Sequence, residues 1–267
     1  MSTNRKQVKG STPKTTARKH VVSLKTEATK SALKELLELT EFLLPQFGDE
    51  VWNRHNLVSL NASSLSRLLY LNNLYQKIVE VPGVVCEFGV QWGATLSQLI
   101  NLRSIYEPFN QSRVIYGFDT FEGFASVHKK DGNTNYRPGD LATLENYEET
   151  LSRLLELMES FAPQPHIKKH ALVKGDASVT IEKWLDDNPH AIISMAIFDM
   201  DLYEPTKKVL EKIIPRLTKG SVLAFDELNC PFFPGETRAL DEILGLNNLR
   251  LRRNSLSPYS CWAVYGE

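Results

Sequence analysis

Apolar residues recur at helical spacing in two segments near the start of the chain. The first, residues 26–47, spaces leucines and Phe42 three to four positions apart and ends at Pro45 and Gly48. The second, residues 63–79, repeats this spacing from Leu65 to Ile78. The pattern predicts two helices, each with an apolar stripe, ahead of the first strand.

From residue 84 the pattern changes to short β-rich runs that alternate with helical periods, which is typical of βαβ units around a parallel sheet. The predicted strands are 84–88, 114–118, 171–174, 192–198, 222–225, 249–253 and 261–265. The predicted helices between them are 94–106, 145–160, 180–188, 205–216 and 236–244. The continuous apolar run AIISMAIF, which precedes Asp199, suits a strand that is covered on both faces.

The last two predicted strands are separated by the polar segment NSLSP. Because this segment is too short for a helical crossover, the two strands should pair antiparallel at the sheet edge. Five parallel strands closed by such a pair predict an α/β, Rossmann-like sheet of the seven-stranded class I methyltransferase type, in contrast to the two equal halves of a dehydrogenase. The predicted division is a flexible basic tail at 1–25, a helical extension at 26–80 that forms a lid or a dimer element, and a methyltransferase domain at 81–267.

Composition limits the partners and the location. The net charge of −1 gives no overall attraction to nucleic acid or membrane, although the first 30 residues carry eight Lys or Arg and a single acid. No run of about 18 apolar residues occurs, so no membrane span is expected. Cys86, Cys230 and Cys261 lack the spacing of a zinc knuckle and leave an odd thiol, which fits a reducing compartment. We therefore expect a cytoplasmic protein that binds neither nucleic acid nor membrane.

The segment VVCEFGVQWGAT has the features of a turn that binds a nucleotide-type cofactor. It places Glu87 at a strand end, Gly89 and Val90 in the following turn, and Gly93 where the next helix begins. Glycine lets backbone approach a ligand closely, and a helix N-terminus offers free N–H groups. Gln91 stands where the usual pattern has its middle glycine, so a purely structural turn is the alternative interpretation.

Two further acids follow the next two strands. Asp119 ends the second strand, where a carboxylate can accept hydrogen bonds from both ribose hydroxyls. Asp176, followed by Ala177, comes directly after the third strand, where it can bind an adenine amino group. Either acid taken separately could instead be a helix N-cap. Acids at the ends of three successive strands, with Glu87 as the first, together predict a site for an adenosyl cofactor, S-adenosylmethionine (SAM).

A second acidic group follows the fourth and fifth strands. Asp199 ends the fourth, and Asp226 and Glu227 end the fifth. Clustered carboxylates repel unless a hard cation neutralises them, which predicts a Mg²⁺ ion that lowers the pKa of an acceptor hydroxyl during methyl transfer. Alternatively, Asp199 caps the next helix or binds the cofactor, and the other two are solvated loop acids. Asp201 competes for the ligand role or caps the helix that begins near Pro205.

The motifs EFGVQWG, YGFDTFEGF, KGDA, DMDLYEPT and FDELN followed by PGET resemble those of the macrocin O-methyltransferase family over roughly residues 80–265. Members of that family methylate sugar hydroxyls on macrolides and on nucleotide-linked deoxysugars. The resemblance implies SAM as cofactor, a sugar-containing small-molecule acceptor, and metal ligands at Asp199, Asp226 and Glu227. The last position is often Asp in the family, which leaves the exact coordination open.

The general base is not assigned by these motifs. The Lys base of catechol-type enzymes is absent, because the corresponding stretch reads Asp201, Leu202, Tyr203. His128, in the long segment 124–144 that should cover the cofactor crevice, is a catalytic candidate, with a solvated loop residue as its alternative. Tyr203 and Glu236 are further candidates. A nicotinamide-dependent Rossmann oxidoreductase and a non-catalytic SAM-binding module are the competing functions, and a homo-oligomer formed through the N-terminal helices is a further expectation.

Overall fold

The computed structural model describes residues 26–48, 55–132, 136–257 and 259–267. The chain divides into two compact units, Met1–Asn61 and Ala62–Glu267. The predicted basic tail at 1–25 lies outside the described residues. The predicted boundary between residues 80 and 81 differs from this division, because the helix that begins at Ala62 packs within the sheet unit.

The first unit contains helix α1 (Glu27–Leu43). The Thr26 side chain caps it by accepting a hydrogen bond of 3.1 Å from the Thr29 N–H. The helix ends where Pro45 lies in a short 3₁₀ turn, Leu44–Gln46. Leu37 and Phe42, on the predicted apolar stripe, are 57% and 66% exposed. The role of this helix as a lid or dimer element stays a prediction.

The second unit is built on a seven-stranded sheet. Its strands are β1 (Val84–Phe88), β2 (Ile115–Asp119), β3 (His170–Lys174), β4 (Ile193–Phe198), β5 (Leu217–Phe225), β6 (Arg252–Arg253) and β7 (Cys261–Val264). They lie in the order β3-β2-β1-β4-β5-β7-β6, in which the first five are parallel and the last two pair antiparallel at one edge, as predicted. This is the Rossmann-like fold of class I methyltransferases.

In the described part of the chain, six helices cover the two faces of this sheet. They are α2 (Ala62–Ile78), α3 (Ala94–Tyr106), α4 (Tyr147–Ser160), α5 (Ala177–Asp187), α6 (Tyr203–Ile213) and α7 (Gly235–Ile243). Alternate strand residues supply a core on each side, since Val85 and Met195 pack with α2–α4, whereas Cys86 and Ala196 pack with α5–α7. Every residue of β4 is buried, as its continuous apolar run predicts. Among the described helices, none combines the length and hydropathy that a membrane crossing needs.

Two helices begin earlier than predicted because side chains satisfy their first N–H groups. Helix α5 begins at Ala177, three residues before the predicted start, since the Asp176 carboxylate accepts a 2.8 Å hydrogen bond from the Ser178 N–H. Helix α6 begins at Tyr203, whose N–H donates to Asp131 Oδ1 at 2.6 Å. Asp201 does not cap α6, because its N-cap position is Leu202.

Two strands also differ from their predicted bounds. Strand β5 begins at Leu217, five residues before the predicted start, and Leu217 pairs with Ile193 of β4. Strand β6 is only two residues long. Its predicted first half turns inward, since Leu249 and Leu251 pack on the core beneath α5–α7 and the Leu251 N–H donates to the Leu249 carbonyl at 3.0 Å. The antiparallel edge is therefore short.

A buried ionic cluster joins α3, α4 and β3. The Arg103 guanidinium donates to both carboxylate oxygens of Glu159 at 2.5 and 2.6 Å, and the Lys169 ammonium lies 3.0 Å from the same carboxylate. His170 Nδ1 lies 3.2 Å from Glu159 Oε2. Burial lowers the pKa of His170, and the pKa of Glu159 is lowered by Arg103 in spite of its own burial. The cluster therefore favours an ionised Glu159 beside a neutral His170.

Candidate active site

The turn after β1 lies at the carboxyl edge of the sheet, and glycine is required there. Gly89 has φ +93°, and a Cβ at this position would lie 1.9 Å from the Asp199 carbonyl oxygen. Its N–H donates to the Phe118 carbonyl at 2.9 Å, so the ends of β1, β2 and β4 converge on this residue. Gly93 serves packing, because its Cβ would lie 2.4 Å from the Leu151 side chain. The tight approach brings the strand ends into one crevice.

A cavity of about 360 Å³ opens in this crevice. Its walls come from the turns after β1, β2, β3 and β4, from the segment after β2, and from Arg67 of α2. Gly93 is not among the described residues that line it. The predicted cofactor residues that do line it are Glu87, Gly89, Val90, Asp119, Asp176 and Ala177. The structure therefore brings together six of the seven residues predicted to bind a cofactor.

Glu87 is the most unusual side chain of this cavity. It is 1% exposed, and its Oε2 atom has no hydrogen-bond partner among the described residues. Burial raises the pKa of this carboxyl well above its ordinary value, and the nearby Asp199 charge raises it further. A buried carboxylate without a donor is costly, so this position suits a ligand that brings a cation or an N–H group.

Asp119 and Asp176 hold the turns around the cavity. Asp119 Oδ2 accepts hydrogen bonds from the N–H groups of Val90 at 2.7 Å and Gln91 at 2.8 Å, and Oδ1 accepts one from Phe121 at 2.6 Å. Asp176 is the N-cap of α5, which was the alternative interpretation of this residue. Both carboxylates order backbone that faces the cavity, and their direct contacts to ribose and adenine stay predictions.

The second acidic group is joined by a residue that the motifs did not reveal. Arg67 Nη2 donates to Asp199 Oδ2 at 3.0 Å and to Thr95 Oγ1 at 2.9 Å, while Nη1 donates to Asp226 Oδ1. Ser260 Oγ also donates to Asp226 Oδ1, at 2.9 Å. Burial and the Asp226 charge raise the pKa of Asp199 to about 7, although Arg67 opposes this shift. The two aspartates are thus partly buried and paired with an arginine, and neither is the N-cap of the helix that follows it.

The third predicted metal ligand, Glu227, has a different partner from this pair. Its side chain is hydrogen-bonded to Cys230, its Oε2 atom has no partner among the described residues, and burial raises its pKa. Behind the strand ends, Glu236 is completely buried and accepts hydrogen bonds from the N–H groups of Asp201 at 3.3 Å and Glu227 at 3.1 Å. Glu236 therefore ties the loops after β4 and β5 together.

The arrangement of these acids does not fit a bound Mg²⁺ ion. Magnesium needs oxygens that face one point at about 2.0–2.1 Å. In this arrangement the Arg67 guanidinium lies between the Asp199 and Asp226 carboxylates. Among the described residues, no group of three or more His, Cys, Asp or Glu side chains is arranged to hold a metal. The predicted ligand set Asp199, Asp226 and Glu227 is therefore not assembled.

His128, the catalytic candidate of the segment after β2, is held by hydrogen bonds to its own turn and by stacking on Tyr203. Its Nδ1 accepts a 3.1 Å hydrogen bond from the Lys130 N–H, its own N–H donates to Asp131 Oδ2 at 2.7 Å, and its ring stacks on Tyr203 at 5.0 Å. It is not among the described residues that line the cavity. The catalytic role of His128 stays a prediction. This geometry does not favour it, because Nδ1 already accepts the hydrogen bond of the Lys130 N–H and is not available to take a proton from an acceptor.

Arg67 and Thr95 are the site residues that sequence reasoning missed. Arg67 follows five small or apolar positions of the segment ASSLSRLLYL, and a charged residue on the apolar stripe of a helix is a signal for a charged partner. It is separated from Asp199 by 132 positions, so no local pattern links the two. Thr95 looks like an ordinary residue of the first turn of α3.

Comparison with solved structures gives two strong similarities. The chain is 36% identical to the calicheamicin methyltransferase CalS11, with 92% of this chain and 95% of that chain covered and a TM-score of 0.86. The apo structure of CalS11, a TDP-rhamnose 3′-O-methyltransferase of calicheamicin biosynthesis, gives 33% identity, coverage of 92% and 97%, and a TM-score of 0.79. The O-methyltransferase NovP, at 15% identity over 87% and 98% with a TM-score of 0.53, shares the fold. Neither protein-family models nor curated proteins gave a match.

Proposed function

We propose that this chain, which belongs to the CalS11 family of class I SAM-dependent methyltransferases, transfers a methyl group from SAM to a hydroxyl of a sugar. The observation that carries this proposal is the 36% identity to CalS11 over 92% of the chain. Because the apo CalS11 structure is that of a TDP-rhamnose 3′-O-methyltransferase, a nucleotide-linked deoxysugar is the proposed acceptor class. The narrower resemblance to the macrocin O-methyltransferases stays a prediction.

The cofactor side of the cavity supports the proposal. The unpartnered Oε2 atom of Glu87 suits the positive charge that SAM carries. The N–H groups of Val90 and Gln91 are fixed by Asp119, and Gly89 keeps the turn clear of side chain. When bound, SAM supplies an electrophilic methyl group on a sulfonium. The chain's task is to hold the acceptor oxygen in line with it and to exclude water.

Asp199 is the proposed proton acceptor. It lines the cavity, and Arg67 binds it through Oδ2. Oδ1 is therefore the oxygen proposed to accept the proton of the acceptor hydroxyl. Arg67 holds the carboxylate in place and compensates the charge of Asp226, which does not appear among the described residues lining the cavity. No step in this proposal uses a metal ion, because the guanidinium lies between the two carboxylates.

Transfer of labelled methyl from SAM to TDP-rhamnose tests the function. We expect label in the sugar and formation of S-adenosylhomocysteine, with loss of transfer in Asp199→Asn and near-normal transfer in Asp186→Asn, an acid of α5 outside the cavity. Binding of SAM without transfer to any hydroxylated acceptor would favour the non-catalytic module. In a thermal-shift assay SAM should stabilise the protein, and stabilisation by NADH alone would favour the oxidoreductase.

A further inference from the structure

We propose that Arg67 is the resident cation of the Asp199–Asp226 pair, and that Arg67 and a divalent metal ion exclude each other at these two carboxylates. Metal binding at this pair can be measured without any methyl acceptor, so its outcome does not depend on the proposed function. Arg67 lies on α2 and was not among the predicted site residues. Its place between the two carboxylates accounts for acids that resemble a metal-binding set without being assembled as one.

The geometry of Arg67 is that of a fork between two acceptors. Nη1 donates to Asp226 and Nη2 donates to Asp199 at 3.0 Å, and Thr95 Oγ1 accepts a further hydrogen bond from Nη2 at 2.9 Å. Arginine is well suited to this role, because its planar group presents several donors in fixed directions and stays charged. The guanidinium therefore takes one oxygen of each carboxylate and the space between them that a bridging ion would occupy.

Electrostatics make joint occupation unfavourable. A divalent ion on Asp199 and Asp226 would lie next to the positive charge of Arg67, and like charges at contact distance repel strongly in a partly buried site. The three side chains are only 24–31% exposed, so solvent screens this repulsion incompletely. Metal entry therefore requires that the guanidinium leave both carboxylates.

The carboxyl groups near Arg67, Glu87 among them, would attract a divalent ion to this site. Glu87 lines the same cavity, is 1% exposed, and has an Oε2 atom without a partner among the described residues. Among the described residues, the carboxyl groups that line this cavity outnumber its cationic side chains, Arg67 and Lys208. This excess of carboxyl groups would attract a divalent ion as soon as Arg67 is removed. Residue 67 thus determines whether the pair is held by an internal or an external cation.

Calorimetric titration of the purified full chain with Mn²⁺, repeated with Mg²⁺, tests the inference. The variants are Arg67→Met and, as a matched control, Arg153→Met, which removes an exposed arginine of α4 that pairs with Glu156. We expect Arg67→Met to bind Mn²⁺ about ten-fold or more tightly than the unmodified chain. The Arg153→Met variant should bind as the unmodified chain does. Equal or weaker binding by Arg67→Met would overturn the proposal.

A second pair of variants locates the ion and guards against misfolding. The double variant Arg67→Met with Asp226→Asn should lose the added affinity, and a gain that persists there would place the ion elsewhere and refute the proposal. Arg67→Gln, which keeps a polar side chain of similar shape, gives the same readout if circular dichroism shows that Arg67→Met does not fold. In either variant Mn²⁺ should raise the melting temperature more than it does in the unmodified chain.

Discussion

Replacing Glu87 by Gln should change cofactor affinity and protein stability in opposite directions. The carboxylate is buried and its Oε2 atom has no partner among the described residues, so its desolvation is uncompensated until a ligand arrives. Loss of a hydrogen bond to a charged group is worth about 1.5–3 kcal/mol, which weakens SAM binding by about ten- to 150-fold. Removal of the unpaired charge should stabilise the unliganded protein by about 1–3 kcal/mol. For a chain of this size, each kcal/mol of stabilisation raises the melting temperature by about 2–4 °C.

The pH dependence gives a further sign to check. Because the pKa of Glu87 is raised in the folded protein, its ionisation destabilises the fold as pH rises above the ordinary value near 4.5. Glu87→Gln should lack this decline. Thermal melts at about pH 5 and 8, with SAM titrations by calorimetry, measure both effects, and Glu122→Gln, an exposed acid, is the control. A Glu87→Gln protein that melts lower and binds SAM normally would refute the reasoning.

Two other predictions concern stability. Gly89→Ala should lower the free energy of unfolding by more than about 1 kcal/mol and abolish SAM binding, because the added Cβ would lie 1.9 Å from the Asp199 carbonyl oxygen. Gly139→Ala is the control, since Gly139 has φ +85° and nothing within 4 Å of an added Cβ, so this variant bears backbone strain alone. Equal losses of unfolding free energy in denaturant melts would contradict the clash at Gly89. Because burial lowers the pKa of His170, this residue takes up a proton in the unfolded chain before it does so in the folded one, and the free energy of unfolding should fall as pH drops below about 6.5. His170→Gln should make the free energy of unfolding in urea depend less on pH between about pH 7 and 5. An unchanged pH dependence in this variant would exclude His170 as its source.

The sheet could be predicted because each of its signals is local. The apolar run before Asp199 predicts a strand with two covered faces, and β4 is fully buried between two helical layers. The short segment before β7 predicts the antiparallel edge. Helix starts were less predictable, since the N–H of Tyr203 is capped by Asp131, which lies 72 positions away in the chain. A cap of that kind leaves no signal beside the helix.

In the candidate site, the residues at strand ends were predictable from the sequence, whereas the helix residue that contacts them was not. Glu87, Asp119 and Asp176 lie on the cavity wall because parallel strands end at one edge. The sequence also predicted that Asp199 and Asp226 lie close together. The sequence did not predict that a guanidinium separates them, because the position of Arg67 depends on how α2 packs against the sheet. Spacing alone does not distinguish carboxylates held by a metal from carboxylates held by an arginine.

The identity of the methylated atom tests the central claim most directly. The chain is incubated with TDP-rhamnose and SAM that carries a ¹³C-labelled methyl group, and the product is examined by two-dimensional NMR. A single methoxy carbon correlated with one ring proton of the sugar is the expected result. Label that appears on nitrogen, on sulfur or on the nucleotide, or no labelled product from a protein that binds SAM, would contradict a sugar O-methyltransferase.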